Sequence, residues 1–298
     1  PTRQALEKSA AKQAELGAPV EMVYPPELFD LAPYLSRQIV AASYCREDGM
    51  GDPFATVRGY LRACRLTGRV DFRIGARVTH IEARSVESFV VWLDEGSIEC
   101  GAVLVAAGAG IPRLLEPLGV DLPLSTQIQQ VLITDSCPPL FPHVVTHASG
   151  NLTVKQQKMS GKVLVGGAWP GDGNLDEGEH RLRRSSVLGN ARKAVRTVPA
   201  LAGARLLRGW TGIEGRSPDG LPLLGPIDGA SGLHILGCAA GGFTLAPACG
   251  QIAADLLLGQ EPAIPHRAYL VARFLKGDDE LWPHTTRTTA TKRTRRDT

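Results

Sequence analysis

Gly237, Gly241 and Gly242 stand between an apolar run, Leu233, Ile235 and Leu236, and a helix-like segment. Thr244 can cap that helix, with Pro247 in its tolerant first turn and Gly259 at its end. Glycines ahead of a helix N-terminus leave bare backbone that a ligand can approach, and the unpaired amides and positive dipole end favour a negatively charged group. The same pattern also describes a tight strand-to-helix turn that binds nothing. A second glycine-bearing turn, Gly108-Ala109-Gly110, ends the strand-like GAVLVAAGAG. It copies the first turn of a dinucleotide fold only superficially. Arg113 stands where G-x-G-x-x-G needs a third small residue, and no acidic residue follows on a strand end about 20 residues later. Ala106, Ala107 and Gly108 therefore read as a close backbone approach to a ligand rather than as a pyrophosphate cradle.

Other chemistry-bearing side chains are scattered. His80, His143, His147 and His234 are isolated, and six cysteines without a CxxC indicate neither a metal site nor a disulfide framework. Asp219, in SPDGLP, is first a turn residue. Trp169 and Trp210 suit packing better than stacking on a small molecule. Lys155 and Gln156 lie on a strand-like run, TVKQ, that faces either a pocket or solvent.

These residues need a scaffold, and 298 residues with 43% hydrophobic content supply enough core for two packed units. No run approaches the ~20 apolar residues that cross a bilayer. The start, PTRQALEKSAAKQAELG, reads as a polar amphipathic helix rather than a signal peptide, so the cytoplasm is the expected compartment. The net charge of +3 comes largely from the Thr/Arg-rich tail after Trp282, which reads as solvated and disordered and not as a nucleic-acid arm.

Helices are expected from Thr2 to Gly17 and after Pro25-Pro26, both as surface cover, and a third from Asp52-Pro53 to Gly68. Strands follow at 70–72, 76–83, 88–93 and 97–106, with Asp94-Glu95-Gly96 as a hairpin turn, and then a short helix at 112–118. From 124 to 167, short strands between Pro and Gly turns predict an antiparallel sheet. Asp176 is expected to cap a long charged helix, with Glu177 and Glu179 in its first turn and Pro199 after its end. ARLLRGWTGIEGR then reads as a strand that breaks into a Gly, Pro and Asp-rich loop. Alternating strands and helices around an antiparallel insert predict two interleaved domains.

Taken in order, AAGAG, NLTVKQQKMSGKVLVGGAWP, RGWTGIEGRSPDGLPLLGPI and HILGCAAGGFTLAPACGQIAADLLLG resemble the D-amino-acid oxidase family of FAD-dependent amine oxidoreductases, which includes glycine oxidase, sarcosine oxidase and D-amino-acid dehydrogenases. The resemblance runs to about Pro262. IEG and TVKQ are most similar to the beta subunits of heteromeric opine, proline and hydroxyproline dehydrogenases. It implies an α/β and α+β fold: a glutathione-reductase-like FAD-binding domain, N-terminally incomplete, interleaved with an antiparallel-sheet substrate domain. The implied boundaries are 1–45 for substrate-domain cover helices, 46–123 and 228–276 for the FAD-binding domain, 124–227 for the substrate domain and 277–298 for a disordered basic tail.

The same resemblance implies FAD as cofactor, with Val78 at the adenine and Ala106, Ala107 and Gly108 near the ADP moiety. Gly237, Cys238, Gly241 and Gly242 would lie around the isoalloxazine together with Phe243, Thr244 and Leu245. A helix N-terminus at that ring stabilises the negative charge that reduction develops there. The family normally begins with a strand, a G-x-G-x-x-G turn and a helix, and this sequence starts after that unit, so the chain alone is expected to hold FAD weakly. In the simpler oxidases an Arg clamps the substrate carboxylate where Glu214 stands here. Glu214 is then expected to meet a substrate ammonium or to cap its own loop, with Arg216, Lys155 and Gln156 as the other substrate-side residues. The implied reaction oxidises a CH–NH bond to an imine by hydride transfer. It needs positioning rather than a nucleophile, a triad or a metal, so none is named. Electrons would pass to oxygen or to partner subunits of a heteromeric dehydrogenase. The alternative is a non-catalytic or flavin-free structural subunit.

Overall fold

A computed structural model describes residues 2–174, 178–237 and 241–275. The amino-terminal part holds α1 (Thr2–Glu15), β1 (Val20–Val23), α2 (Glu27–Leu31), β2 (Ala42–Cys45) and α3 (Pro53–Leu66). Next come β3 (Val78–Ser85), β4 (Ser88–Leu93), β5 (Ser97–Cys100), β6 (Val103–Val105) and α4 (Ile111–Leu115). The middle of the chain forms β7 (Ser125–Ser136), β8 (Val145–Thr146), β9 (Thr153–Gln156), β10 (Lys162–Pro170), β11 (Asp172–Asn174), β12 (Glu179–Arg181), α5 (Arg184–Thr197) and β13 (Leu206–Arg216). It ends in β14 (Leu223–Ile227), β15 (Ala230–Gly237) and α6 (Gly242–Leu257). Among the described residues no helix is long and apolar enough to cross a membrane.

Residues 1–60 and 128–213 form one compact unit, and 61–127 with 214–298 the other. The chain passes between them inside α3, β7 and β13. Residues 214–227, expected with the antiparallel insert, fall in the second unit because β14 pairs with β15 (Leu224 opposite Leu236). Residues 46–60, expected with the FAD-binding part, fall in the first. The basic tail lies outside the described residues.

The first unit is built on a sheet of order β13-β7-β10-β9-β8. Leu164 stands opposite Ile133 and Lys155, and Val165 opposite Leu132 and Val154. Directly opposed residues share a face, so Leu132, Val154, Val163 and Val165 lie together and Ile133, Leu164 and Lys155 lie on the other side. The first face is buried in one cluster with Ala194 of α5, Val198 and Leu28 of α2. α2 thus covers the sheet with Leu28 set into the core, while Glu27 and Asp30 stay exposed. Trp169 packs in the same unit, where Gly189 of α5 leaves room for its ring and its indole N–H donates to Asn151 O (2.8 Å).

The long helix begins at Arg184 and not at Asp176. Glu179 belongs to β12, which pairs with β11 as a hairpin, and Gly178 (φ +70°) stands at its turn. Asp176 and Glu177 lie outside the described residues. Arg183 precedes α5, its amide donated to Gln130 Oε1 (3.0 Å) and its Nε to Asp172 (2.6 Å). These two tertiary contacts fix the helix start, and no local capping signal announces them.

The second unit holds the sheet β14-β15-β6 and the antiparallel sheet β3-β4-β5. β15 and β6 are parallel, with Leu233 beside Val103 and Ile235 beside Val105. Leu233, His234 and Ile235 are all buried, as a strand covered on both faces requires. One cluster joins Leu233 and Ile235 to Ile111 and Leu115 of α4 and to Phe89 of β4. A second joins Leu224 of β14 to Cys249 and Ile252 of α6. The turn at 94–96 closes β4 onto β5 as its sequence predicts, with Leu93 N–H bonded to Gly96 O (3.0 Å), whereas 70–72 forms no strand. Asp219 is a turn residue, accepting the Leu221 amide (3.0 Å), and both its oxygens also take Arg273 (2.8 and 3.1 Å).

Candidate functional site

Parallel pairing of β6 with β15 carries two glycine-bearing turns to the same end of adjacent strands, where parallel sheets bind ligands. A Cβ at Gly237 would sit 3.9 Å from Gly108 Cα and 3.2 Å from Ile111 Cδ1, so the two turns are in close approach. Gly108 (φ +55°) and Gly241 (φ +75°) are left-handed, and the space where a side chain would stand is open at both. Ala106 and Ala107 are exposed, and Val78 at the start of β3 is half-buried against the same core.

α6 starts at Gly242, with Gly241 as its cap and no side-chain cap bond. Thr244 is therefore not the cap, and Pro247 lies in the second turn of the helix rather than in its tolerant first turn. The left-handed glycine caps the helix three residues earlier than the Thr signal implies. Pro247 leaves the Phe243 carbonyl without its usual donor. Of the first amides, those of Thr244 and Leu245 turn back to Gly241 O (3.0 and 3.3 Å), while those of Gly242 and Phe243 have no partner among the described residues and can serve a ligand. Phe243 and Leu245 remain 49% and 38% exposed at this start. Bare backbone, two free amides and an exposed apolar flank suit a flat aromatic ring that carries developing negative charge, so the residues present fit a flavin. Gly259 (φ +66°) ends the helix as expected, with Gln260 N–H bonded to Asp255 O (2.8 Å). Cys238 lies outside the described residues.

In the first unit the solvent-side face of the sheet forms the floor of an open cleft of about 1400 Å³. Ile133 and Leu164 are the apolar floor, and Lys155, Lys162, Arg208 and Trp210 border it. Lys155, Lys162 and Arg208 have no ion-pair partner among the described residues. Tyr44 and His143 also line the cleft, their rings edge to face at 5.7 Å. Tyr34 stands behind His143, its hydroxyl 2.6 Å from Nδ1. Burial pushes the Tyr34 phenol up to about 12, so it stays protonated at neutral pH.

TVKQ divides between two tasks. Lys155 lines the cleft, whereas Gln156, expected beside it at a substrate, sits opposite Val163 on the core face. Its Oε1 accepts the Leu140 amide (2.7 Å), and its Nε2 donates to the carbonyls of Pro138 (2.8 Å), Gly161 (2.9 Å) and Cys137 (3.3 Å). Such an amide has nothing left for a ligand. Glu214 and Arg216 engage each other, Arg216 Nη2 and Nε donating to Glu214 Oε2 (3.1 and 3.3 Å) with both side chains about a third exposed. Among the described residues no loop amide donates to Glu214. Arg208 and Lys162 are cleft residues that sequence reading missed. Their alternation with Trp210 on β13 and with Leu164 on β10 is the signal that finds them.

The family model described as DAO, FAD dependent oxidoreductase, matches residues 1–256. The chain is 32% identical over 182 residues to a glycine oxidase of Pseudomonas aeruginosa, covering 59% of this chain and 47% of that protein. It is 29% identical over 274 residues to the sarcosine oxidase subunit beta of Rhizobium meliloti, covering 88% of this chain and 63% of that one. The chain thus spans about half to somewhat under two thirds of these relatives' length. The glycine oxidase structure from Geobacillus kaustophilus superposes with a TM-score of 0.80 at 22% identity, over 91% of this chain and 71% of that one. The mixed α/β fold is therefore that of FAD-dependent amino-acid oxidases.

Proposed function

Because this chain belongs to the DAO family of FAD-dependent oxidoreductases, we propose that it oxidises the CH–NH bond of an amino acid or related amine to an imine. The observation that carries this reading is the meeting of the two glycine turns, at Gly108 and Gly237, beside the open start of α6. When bound, FAD supplies the acceptor for a hydride from the carbon next to the amine nitrogen. The residues that would hold it are Val78, 106–108, Gly237 and 241–245.

The remaining work belongs to this chain's own groups. Ile133 and Leu164 give the cleft an apolar floor, which disfavours an ammonium and favours the neutral amine that can release a hydride. Lys155 and Arg208 fix a substrate's carboxylate, and Trp210 with Tyr44 restricts its orientation. Loss of the hydride leaves an iminium, which sheds its nitrogen-bound proton to water to give the imine. The electrons then leave for oxygen or for a partner subunit. One relative is itself the beta subunit of a larger oxidase, which supports a heteromeric assembly as part of this reading.

The test is anaerobic. The 298-residue chain is mixed with excess FAD, and primary and secondary amino acids are added while the visible flavin band is followed. Bleaching by an amine substrate is expected. Bound flavin that no amino acid or secondary amine bleaches would overturn the proposal.

A further inference from the structure

We propose that the open edge of β8 takes an extended peptide from a partner protein as an added strand, and that this peptide carries acidic residues beside an apolar centre. The proposal stands apart from the oxidase reading, since neither the edge nor its test involves flavin.

β8 is the last strand of the first unit's sheet and pairs only with β9, Val145 opposite Val154 and Thr146 opposite Thr153. His147 N–H is bonded to Leu152 O (3.0 Å), which fixes the phase of the ladder. Antiparallel residues alternate between pairs that exchange both bonds and pairs that exchange none, so Thr146 turns its N–H and C=O away from β9. Thr146 is exposed, and neither group has a partner among the described residues. Such an edge is a template for one more strand. The other edge of the same sheet, β13, is guarded by Arg208, Glu214 and Arg216 and loosened by Gly209 and Gly212. Residues 144–146 are Val-Val-Thr, with neither charge nor proline to turn a chain away.

Space and charge narrow the occupant. Beside the edge lies a cavity of about 280 Å³, lined by Val145, Thr146 and His147 and by Ala41, Ala42 and Ser43 around the start of β2. β2 is itself an outer strand, and the two alanines leave the room to an incoming chain. Thr197, at the end of α5, lines the cavity too. α5 carries Arg184, Arg192, Lys193 and Arg196 and no acidic residue, and Lys193 Nζ donates to Ser149 Oγ (3.0 Å) in the turn that follows β8. Arg3 also lines the cavity, but Glu7 neutralises it (2.8 Å). The surplus positive charge at the end of the edge favours acidic residues in the peptide and disfavours this chain's own Thr/Arg-rich tail.

The experiment follows the backbone amides of the isotope-labelled 298-residue chain by NMR while the N-acetylated, C-amidated peptide Glu-Val-Ala-Val-Glu is added. The Thr146 amide should shift and exchange more slowly with solvent. The same peptide N-methylated at its central residues, which cannot donate to an edge, and its Lys-Val-Ala-Val-Lys counterpart should each bind at least about tenfold weaker. Thr146→Pro removes the outward N–H and leaves the ladder to β9 intact, so Tm should hold while peptide affinity falls by about the same factor. No shift at 144–147, equal binding of the N-methylated or the lysine peptide, or full affinity in Thr146→Pro overturns the proposal. Should that variant fail to fold, the N-methylated peptide decides alone. Self-association of the chain that Thr146→Pro abolishes would give the edge to a second copy and overturn it as well.

Discussion

The two candidate sites recognise by opposite means. In the second unit the turn at 106–108, Gly237 and the start of α6 at 241–242 offer backbone, with glycines where a side chain would intrude and, among the described residues, the Gly242 and Phe243 amides left without a partner. In the first unit the cleft offers side chains, long and charged, on a sheet whose other face is the core. A cofactor common to a whole family is well served by backbone, because the contact survives most sequence change. A variable substrate is better served by side chains on one face of a rigid sheet, where a single substitution changes the choice without touching the fold.

That contrast is sharpest within TVKQ. Replacing Gln156 by Leu leaves the Leu140 amide and the carbonyls of 137, 138 and 161 without their partner, and should cost about 3 kcal/mol of stability. Lys155→Leu, one residue away, should stay within about 0.5 kcal/mol. Chemical denaturation of both variants decides it, and equal losses would erase the distinction between core face and cleft face. The next effect is on the backbone site. Gly108→Val forces a β-branched residue into a left-handed conformation and fills the ligand's approach, so FAD should bind about tenfold or more weaker by fluorescence titration. Full FAD affinity in that variant would count against the turn as a contact.

Smaller changes are expected where charges already satisfy each other. Glu214→Gln releases Arg216 from a partly exposed pair, which is worth at most about 1 kcal/mol to the fold. The denaturation midpoint should barely move, and carboxylate affinity should rise if the freed guanidinium reaches the substrate. Unchanged affinity would leave the pair a purely structural one. The smallest effect concerns pH. Arg273, and secondarily the Leu221 amide, hold the Asp219 carboxyl well below the usual carboxylate range. A depressed folded value means that the stabilisation is present above the unfolded carboxyl's titration and is lost as pH falls below about 4. Asp219→Asn should therefore lower Tm slightly at neutral pH and flatten its decline below pH 4. Parallel Tm curves for the two proteins would show that the pair contributes nothing.

Local chemistry was readable in the sequence, and pairing was not. Asp52-Pro53, the hairpin turn ending at Gly96 and Gly259 behave as their residue types require, because each acts within one turn of chain. β1, β2 and the β11–β12 hairpin escaped notice because short strands are defined by partners far along the sequence. β14 was hidden by Gly225 and Pro226, which read as loop residues and sit here on the edge strand of a three-stranded sheet. The glycine turns of the backbone site were legible individually, and the parallel pairing that joins them was not. The cleft was harder still. Lys155 and Gln156 look equivalent in sequence, and only the register opposite Leu164 and Val163 tells them apart.

Amide hydrogen exchange, measured on the 298-residue chain with and without a large excess of FAD, tests the division between backbone site and side-chain cleft most directly. Exchange should slow at 106–108 and 241–245 and stay unchanged along β9 and β10. Slowing confined to β9 and β10, or none at the two glycine turns once FAD has saturated the chain, would contradict it.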